Sequence, residues 1–61
     1  MSLLECITQA TRHGFKVEHR DDWDGWIIIT PKRPRRPSEE LGSYKDERTA
    51  WVAAALLASQ Q

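Results

Sequence analysis

The chain has 61 residues, a single cysteine, and nine basic residues balanced by nine acidic ones. A domain of this length buries only about 60% of its unfolded surface, and one cysteine excludes an intrachain disulfide, so its stability margin is small. Zero formal net charge argues against a typical nucleic-acid-binding domain. The sequence has neither a secretory leader pattern nor an apolar run of about 20 residues. We therefore expect one cytoplasmic domain covering residues 1–61, with no membrane partner.

The first predicted element is a helix. Ser2 and Glu5 have the spacing of a capping box, in which each side chain satisfies a backbone N–H of the first turn. Gly14 follows the last periodic position and suits the left-handed conformation that ends many helices. The apolar stripe consists of Leu3, Ile7 and Ala10.

Two strands are predicted next. Residues 15–20 alternate apolar and charged side chains, and residues 26–30 are mostly β-branched, which is typical of strands. Asp24 and Gly25 form a favourable hairpin turn. The register stays open at this point, because a two-residue turn pairs Trp23 with Trp26 and a longer loop shifts that pairing.

The second strand is apolar on both faces. Side chains alternate along a strand, so Ile27 and Ile29 point away from Trp26 and Ile28. Helices packed on one face leave Ile27 and Ile29 to be covered by another element or by another chain.

The C-terminal part predicts a short third strand over residues 41–44 and a helix over residues 46–59. Asp46 is the expected N-cap. Nearly the whole circumference of this helix is apolar or small, which is typical of a deeply buried helix or of an interface. The element order predicts a small α+β domain with both helices on one face of an antiparallel sheet.

The residue pattern argues against catalysis and metal binding. The spacing of Cys6, His13 and His19 matches no zinc site, and a strand follows Asp22 and Asp24 where a calcium loop would continue. Phosphate-cradling glycine loops and nucleophile elbows are absent from the sequence. We expect no enzyme activity, metal or cofactor.

Protein contact is predicted at the hairpin. Trp23 is either a tryptophan folded back over the core or an exposed aromatic anchor, a residue type enriched at interfaces. The predicted protein-binding residues are Trp23, Ile27, Ile29, Asp22 and Asp24.

The segment PKRPRRP begins a connector that we place at residues 31–40. Proline at every third position favours polyproline II, and the spacing resembles a peptide ligand of SH3 domains. The cations also allow an arm that contacts phosphates, although Glu39 and Glu40 follow at once. We favour a stiff connector, then a protein-contacting surface, and last a nucleic-acid contact. The cations are Lys32, Arg33, Arg35 and Arg36.

From Gly25 onward the chain resembles many small phage and prophage-encoded proteins. A strand GWIIITP is followed by LGSY and then by DExxAWxAA, so a Gly-x-Tyr step precedes a capped helix with an acidic first turn and an Ala-Trp pair. The proline–arginine insertion departs from this pattern. The resemblance implies an accessory protein of the host cytoplasm that binds and redirects a host protein or acts on transcription. It carries over no site residues.

These observations predict a non-enzymatic protein-binding module that self-associates as a homodimer. The alternative is a small nucleic-acid-binding regulator that uses the basic segment.

Overall fold

The computed structural model describes residues 2–60, apart from the Trp23 side chain. The strands form one antiparallel sheet in the order β1–β2–β3, and the helices pack on one face of it. The α+β prediction is therefore confirmed, and so is the third strand. The elements are α1 (Leu3–Arg12), β1 (Lys16–Arg20), β2 (Gly25–Ile29), β3 (Glu40–Tyr44) and α2 (Glu47–Ser59).

Helix α1 begins and ends where local sequence signals place its caps. The Ser2 hydroxyl accepts a hydrogen bond from the Glu5 N–H at 3.2 Å. The Glu5 carboxylate accepts from the Ser2 hydroxyl rather than from a backbone N–H, so only half of the predicted capping box forms. At the other end, Gly14 adopts a φ of +86° and the Phe15 N–H bonds to the Ala10 carbonyl. This turn directs Phe15 into the core.

The connection between β1 and β2 is longer than a two-residue turn. Arg20 pairs with Gly25, and a single 3-10 turn (Asp21–Trp23) and Asp24 lie between the two strands. Asp24 takes the positive φ of +52°, while Gly25 is already part of β2. A Cβ on Gly25 would lie 2.8 Å from the Tyr44 carbonyl oxygen, so close packing of β3 requires glycine there.

Strand β3 pairs with β2 through a bulge. The register shifts between the pairs Trp26–Tyr44 and Ile28–Leu41, which leaves β3 one residue longer than the β2 segment it faces. Gly42 lies in this bulge with a φ of +94°. The Tyr44 ring occupies the space that a Cβ on Gly42 would need, with its Cδ2 only 2.8 Å away.

Helix α2 packs across all three strands, and α1 packs chiefly against α2. The Asp46 side chain caps α2 by accepting from the Thr49 N–H at 2.7 Å, and that hydrogen bond lowers the pKa of the Asp46 carboxyl. Buried alanines on both helices let the two layers approach closely. The core consists of Ala10, Phe15, Ile28, Ala54 and Ala58, with Val17, Leu41, Tyr44, Trp51, Ala53 and Leu57 packed around them.

The bulge makes Gly42 a sensitive position. We expect Gly42→Ala to lower the free energy of unfolding by about 2 kcal/mol or more, since an L-residue is strained at this φ and its Cβ meets the Tyr44 ring. Urea unfolding followed by circular dichroism measures the change. Ser43→Ala, at the neighbouring exposed position, serves as the control and should change stability little. Equal stabilities for the Gly42→Ala variant and the parent would contradict the strained bulge.

Candidate interaction surfaces

The two loops of the sheet separate charge along the molecule. In an antiparallel meander, successive connections lie at opposite ends, so the β1–β2 loop and the β2–β3 loop face in opposite directions. The first carries the exposed carboxylates of Asp21, Asp22 and Asp24. The second carries four exposed cations: Lys32, Arg33, Arg35 and Arg36.

The β2–β3 connection is a hairpin, which we call the basic arm (residues 30–39). Arg33 and Arg36 exchange two backbone hydrogen bonds, of 2.8 Å and 3.1 Å. Thr30 and Glu39 also pair, through Thr30 N–H to the Glu39 carbonyl at 2.9 Å and Glu39 N–H to the Thr30 hydroxyl at 2.7 Å. The two segments of the arm are therefore paired at its base, next to the Ile29–Glu40 pair, and again at its tip.

The arm corrects one expectation from the sequence. Proline at every third position favoured an extended polyproline II segment, but the chain reverses between Arg33 and Arg36. Pro34 is the second residue of that reversal, a position where the fixed φ of proline favours a turn. Residues 30–39 connect β2 to β3 as a folded hairpin rather than an extended spacer, and Glu40, expected to end the connector, is the first residue of β3.

The base of the arm rests on the turn after α1. A Cβ on Gly14 would lie 2.9 Å from the Cβ of Pro31, so this glycine is needed both for its φ and for the approach of the arm. A shallow depression of about 330 Å³ lies beside this contact, with Lys16 and Lys32 among its lining residues. The base of the arm is therefore held against Gly14, and Lys16 adds a positive charge beside it.

The sheet face opposite the helices is closed over its centre. Ile27 has an exposed fraction of 0%. The register places Arg20 and Glu40 on this face at opposite corners of the sheet, and Arg20 Nη2 lies 2.7 Å from Glu40 Oε2. The same Nη2 is 3.7 Å from Glu18 Oε2, and the Arg20 Nε is buried. The Arg20 side chain thus crosses the sheet diagonally above Ile27.

Ile27 and Ile29, the two isoleucines on the face away from the helices, are covered to different extents. Ile27 is covered within the chain and offers no surface to a partner, contrary to its assignment as a protein-binding residue. Ile29 is half-buried at the base of the arm. The sequence did not single out Arg20 or Glu40, because their contact depends on a register that spans three strands.

The β1–β2 loop (residues 21–24), which we call the acidic end, holds the remaining predicted contact residues. Asp22 and Asp24 are exposed, as expected. The prediction that Trp23 is an exposed anchor concerns a side chain outside the described part of the structure. Nearby, His19 packs edge-on against Trp26 with ring centroids 5.2 Å apart, and its Nδ1 lies 3.4 Å from the Asp21 carboxylate.

Helix α2 exposes apolar side chains on the side away from the sheet. Val52 and Leu56 have exposed fractions of 40% and 61% and lie one helical turn apart. Beside them is a groove of about 280 Å³ between the two helices. Sequence analysis anticipated an over-apolar helix but did not single out Leu56. The groove is lined by Cys6, Val52, Ala55, Leu56 and Ser59.

The described residues bring together no metal-binding set. Cys6 is buried in α1, and within residues 2–60 no group of three or more His, Cys, Asp or Glu side chains could hold a metal ion. The expectation of a non-enzymatic protein stays a prediction.

Comparisons with family models, curated proteins and solved structures find no match to this chain. Among residues 2–60, no helix is long and apolar enough to cross a membrane.

The diagonal contact over Ile27 can be tested by substitution. We expect Arg20→Ala to lower the free energy of unfolding by about 1 kcal/mol, because it uncovers apolar surface and removes a half-exposed ion pair worth less than 1 kcal/mol. Arg20→Met keeps an unbranched apolar stem and should recover most of the loss. Thermal and urea unfolding measure both variants, with Lys45→Ala as the exposed control. A loss as large for Arg20→Met as for Arg20→Ala would show that covering Ile27 is unimportant.

Proposed function

We propose that this chain is a non-enzymatic protein-binding module that forms a homodimer. The dimer contact is the outer face of α2, which consists of Val52, Ala55, Leu56 and Ser59. The observation that carries the proposal is the exposure of Val52 and Leu56 on a helix whose other faces are largely buried. A small domain loses stability by leaving such side chains in water, and burying the part of each that is still exposed contributes about 1 kcal/mol.

The shape of this face favours a second copy as the occupant. Val52 and Leu56 form a bulky row at i and i+4, and Ala55 and Ser59 form a parallel row of small side chains beside it. Two helices pack well when the ridge of each fits the groove of the other. A twofold axis through this face would place each Val52–Leu56 ridge in the partner's Ala55–Ser59 groove.

The charge and size of the face are also compatible with self-association. None of the groove-lining residues is charged, so two identical copies meet without like-charge repulsion. A standard interface covers about 800 Å² on each partner. The chain exposes 4563 Å² in total, so such an interface would use less than a fifth of its surface.

A partner protein of the host is proposed for the acidic end. The resemblance to phage and prophage-encoded proteins supports an accessory protein that binds and modulates a host protein in the cytoplasm. Asp22 and Asp24 lie on the β1–β2 loop and not on the outer face of α2. In the proposed dimer they stay accessible, and they would recognise a basic surface on that protein.

The dimer is tested by placing a charge on the apolar row. We expect Leu56→Glu to raise the dimer dissociation constant at least tenfold, because the carboxylate must lose water in an apolar contact. Sedimentation equilibrium over a range of concentrations measures it. Leu4→Glu is the matched control, since Leu4 has an exposed fraction of 72% but lies on α1 away from the groove. A monomeric parent chain, or equal dissociation by both variants, would overturn the dimer.

The host contact is tested separately. We expect Asp22→Asn combined with Asp24→Asn to leave the dimer intact and to abolish capture of one specific protein from a lysate of the host bacterium. Mass spectrometry compares the captured proteins quantitatively. Lys45→Ala is the control for an unrelated surface change. Identical captured proteins for the double variant and the parent would contradict a role for the acidic end.

A further inference from the structure

We propose that the basic arm is a DNA-binding element that enters the major groove of a double helix. This inference is independent of the dimer and of the host partner, since it uses the opposite end of the sheet from Asp22 and Asp24. The cations of the arm would contact the DNA phosphates.

The dimensions of the arm suit that groove. From Thr30 to Pro34 the arm extends five residues beyond β2, or about 15 Å at the usual rise per residue. The major groove of B-DNA is about 12 Å wide and about 8.5 Å deep, and it admits a two-stranded ribbon. The arm is paired between Thr30 and Glu39 at its base and between Arg33 and Arg36 at its tip, so two chain segments lie side by side at both ends.

The arm places two positively charged residues, Arg33 and Arg36, directly opposite each other. Arg33 and Arg36 form a hydrogen-bonded pair, so their side chains leave the ribbon on the same face. Like charges placed directly opposite each other in a ladder destabilise it. A phosphate would interact favourably with this concentrated positive charge, and arginine binds phosphate oxygens in a fixed fork geometry.

Cations are available on both segments of the arm and in its turn. Lys32 and Arg33 lie on the outgoing segment, Arg36 lies on the returning one, and Arg35 lies in the turn itself. A ribbon in a groove lies between two rows of phosphates and needs positive charge on both sides. At the base, Lys16 lines the same depression as Lys32 and adds a further cation toward the backbone.

The arm is also held in place before it binds. Pro31 packs against Gly14 at the base, and Pro34 restricts the turn at the tip. A preorganised element loses less conformational entropy on binding than a flexible basic tail does. Pro37 restricts the backbone of the returning segment in the same way.

Duplex RNA is a poorer fit than DNA. The major groove of A-form RNA is deep and narrow, so protein side chains cannot read it. An acidic protein surface would supply carboxylates but not two parallel rows of charge at the spacing of a groove. The geometry of a hairpin with cations on both segments and in its turn therefore favours double-stranded DNA.

The test is fluorescence anisotropy with the full chain and a labelled 20-base-pair DNA duplex of mixed sequence. We expect binding at 50 mM salt that weakens about 40- to 150-fold at 200 mM, which corresponds to three or four phosphate contacts. Replacing Lys32, Arg33, Arg35 and Arg36 together by Ala should abolish binding at 50 mM salt. Each single Arg→Ala variant should reduce the logarithmic salt slope by about one.

The matched control removes cations from the other end of the sheet. Lys45 and Arg48 are both exposed, and Lys45→Ala combined with Arg48→Ala should leave the affinity unchanged within about twofold. Circular dichroism of every variant establishes that the fold is retained. A second variant, Pro31→Ala combined with Pro37→Ala, keeps all charges and should weaken binding with the same salt slope.

Three results would overturn the proposal. The first is no binding to duplex DNA at 50 mM salt. The second is an equal loss of affinity in the arm variant and in the Lys45/Arg48 control. The third is equal or tighter binding to an A-form RNA duplex, or equal competition by polyglutamate at matched charge, which would assign the arm to RNA or to an acidic protein surface instead.

Discussion

Burial of β2 on both faces is the constraint on which the rest of the structure depends. Ile28 faces the helices and belongs to the core, while Ile27 faces the other way and is equally buried. One layer of helices cannot cover both side chains. The second cover comes from the Arg20–Glu40 contact, which joins the two outer strands above the central one. A long charged side chain with an apolar stem serves this purpose because its head remains near water.

The same pairing that covers Ile27 also directs the arm. Glu40 begins β3 and pairs with Ile29, the last residue of β2, and the arm continues outward from that pair. The arm is thus an extension of two core strands rather than an independent loop, and its direction is set by the sheet. The bulge at Gly42 keeps Tyr44 on the helix side of the sheet despite the extra residue. Strand β3 can therefore pair Glu40 with Ile29 at the base of the arm and still place Tyr44 against the core.

Local signals were sufficient for the elements and insufficient for their contacts. The caps at Ser2 and Asp46, the turn at Gly14 and the β-branched run of β2 each depend on neighbours within a few residues, and each lies where the sequence predicts it, although the Glu5 half of the capping box does not form. The hairpin in the arm was missed because proline spacing also suits polyproline II, and only the β2–β3 register distinguishes the two. The cover over Ile27 was missed because it joins residues 20 and 40, which no local pattern relates. The apolar row of α2 was visible as composition, but which side remains exposed depends on where the sheet and α1 pack.

Zero net charge is a weak argument against a polyanionic ligand when the charges are separated by the fold. The acidic loop and the basic arm lie at opposite ends of strands five residues long, about 17 Å apart along the sheet alone. The Debye length at physiological salt is about 8 Å, so a phosphate beside Arg35 is largely screened from Asp22. The potential at the arm is therefore set by Lys32, Arg33, Arg35 and Arg36, with Glu39 as the nearest exposed opposing charge, while Glu40 is engaged by Arg20. Because successive connections of a meander must alternate ends, the order of an acidic loop and then a basic loop in the sequence is sufficient to create this separation.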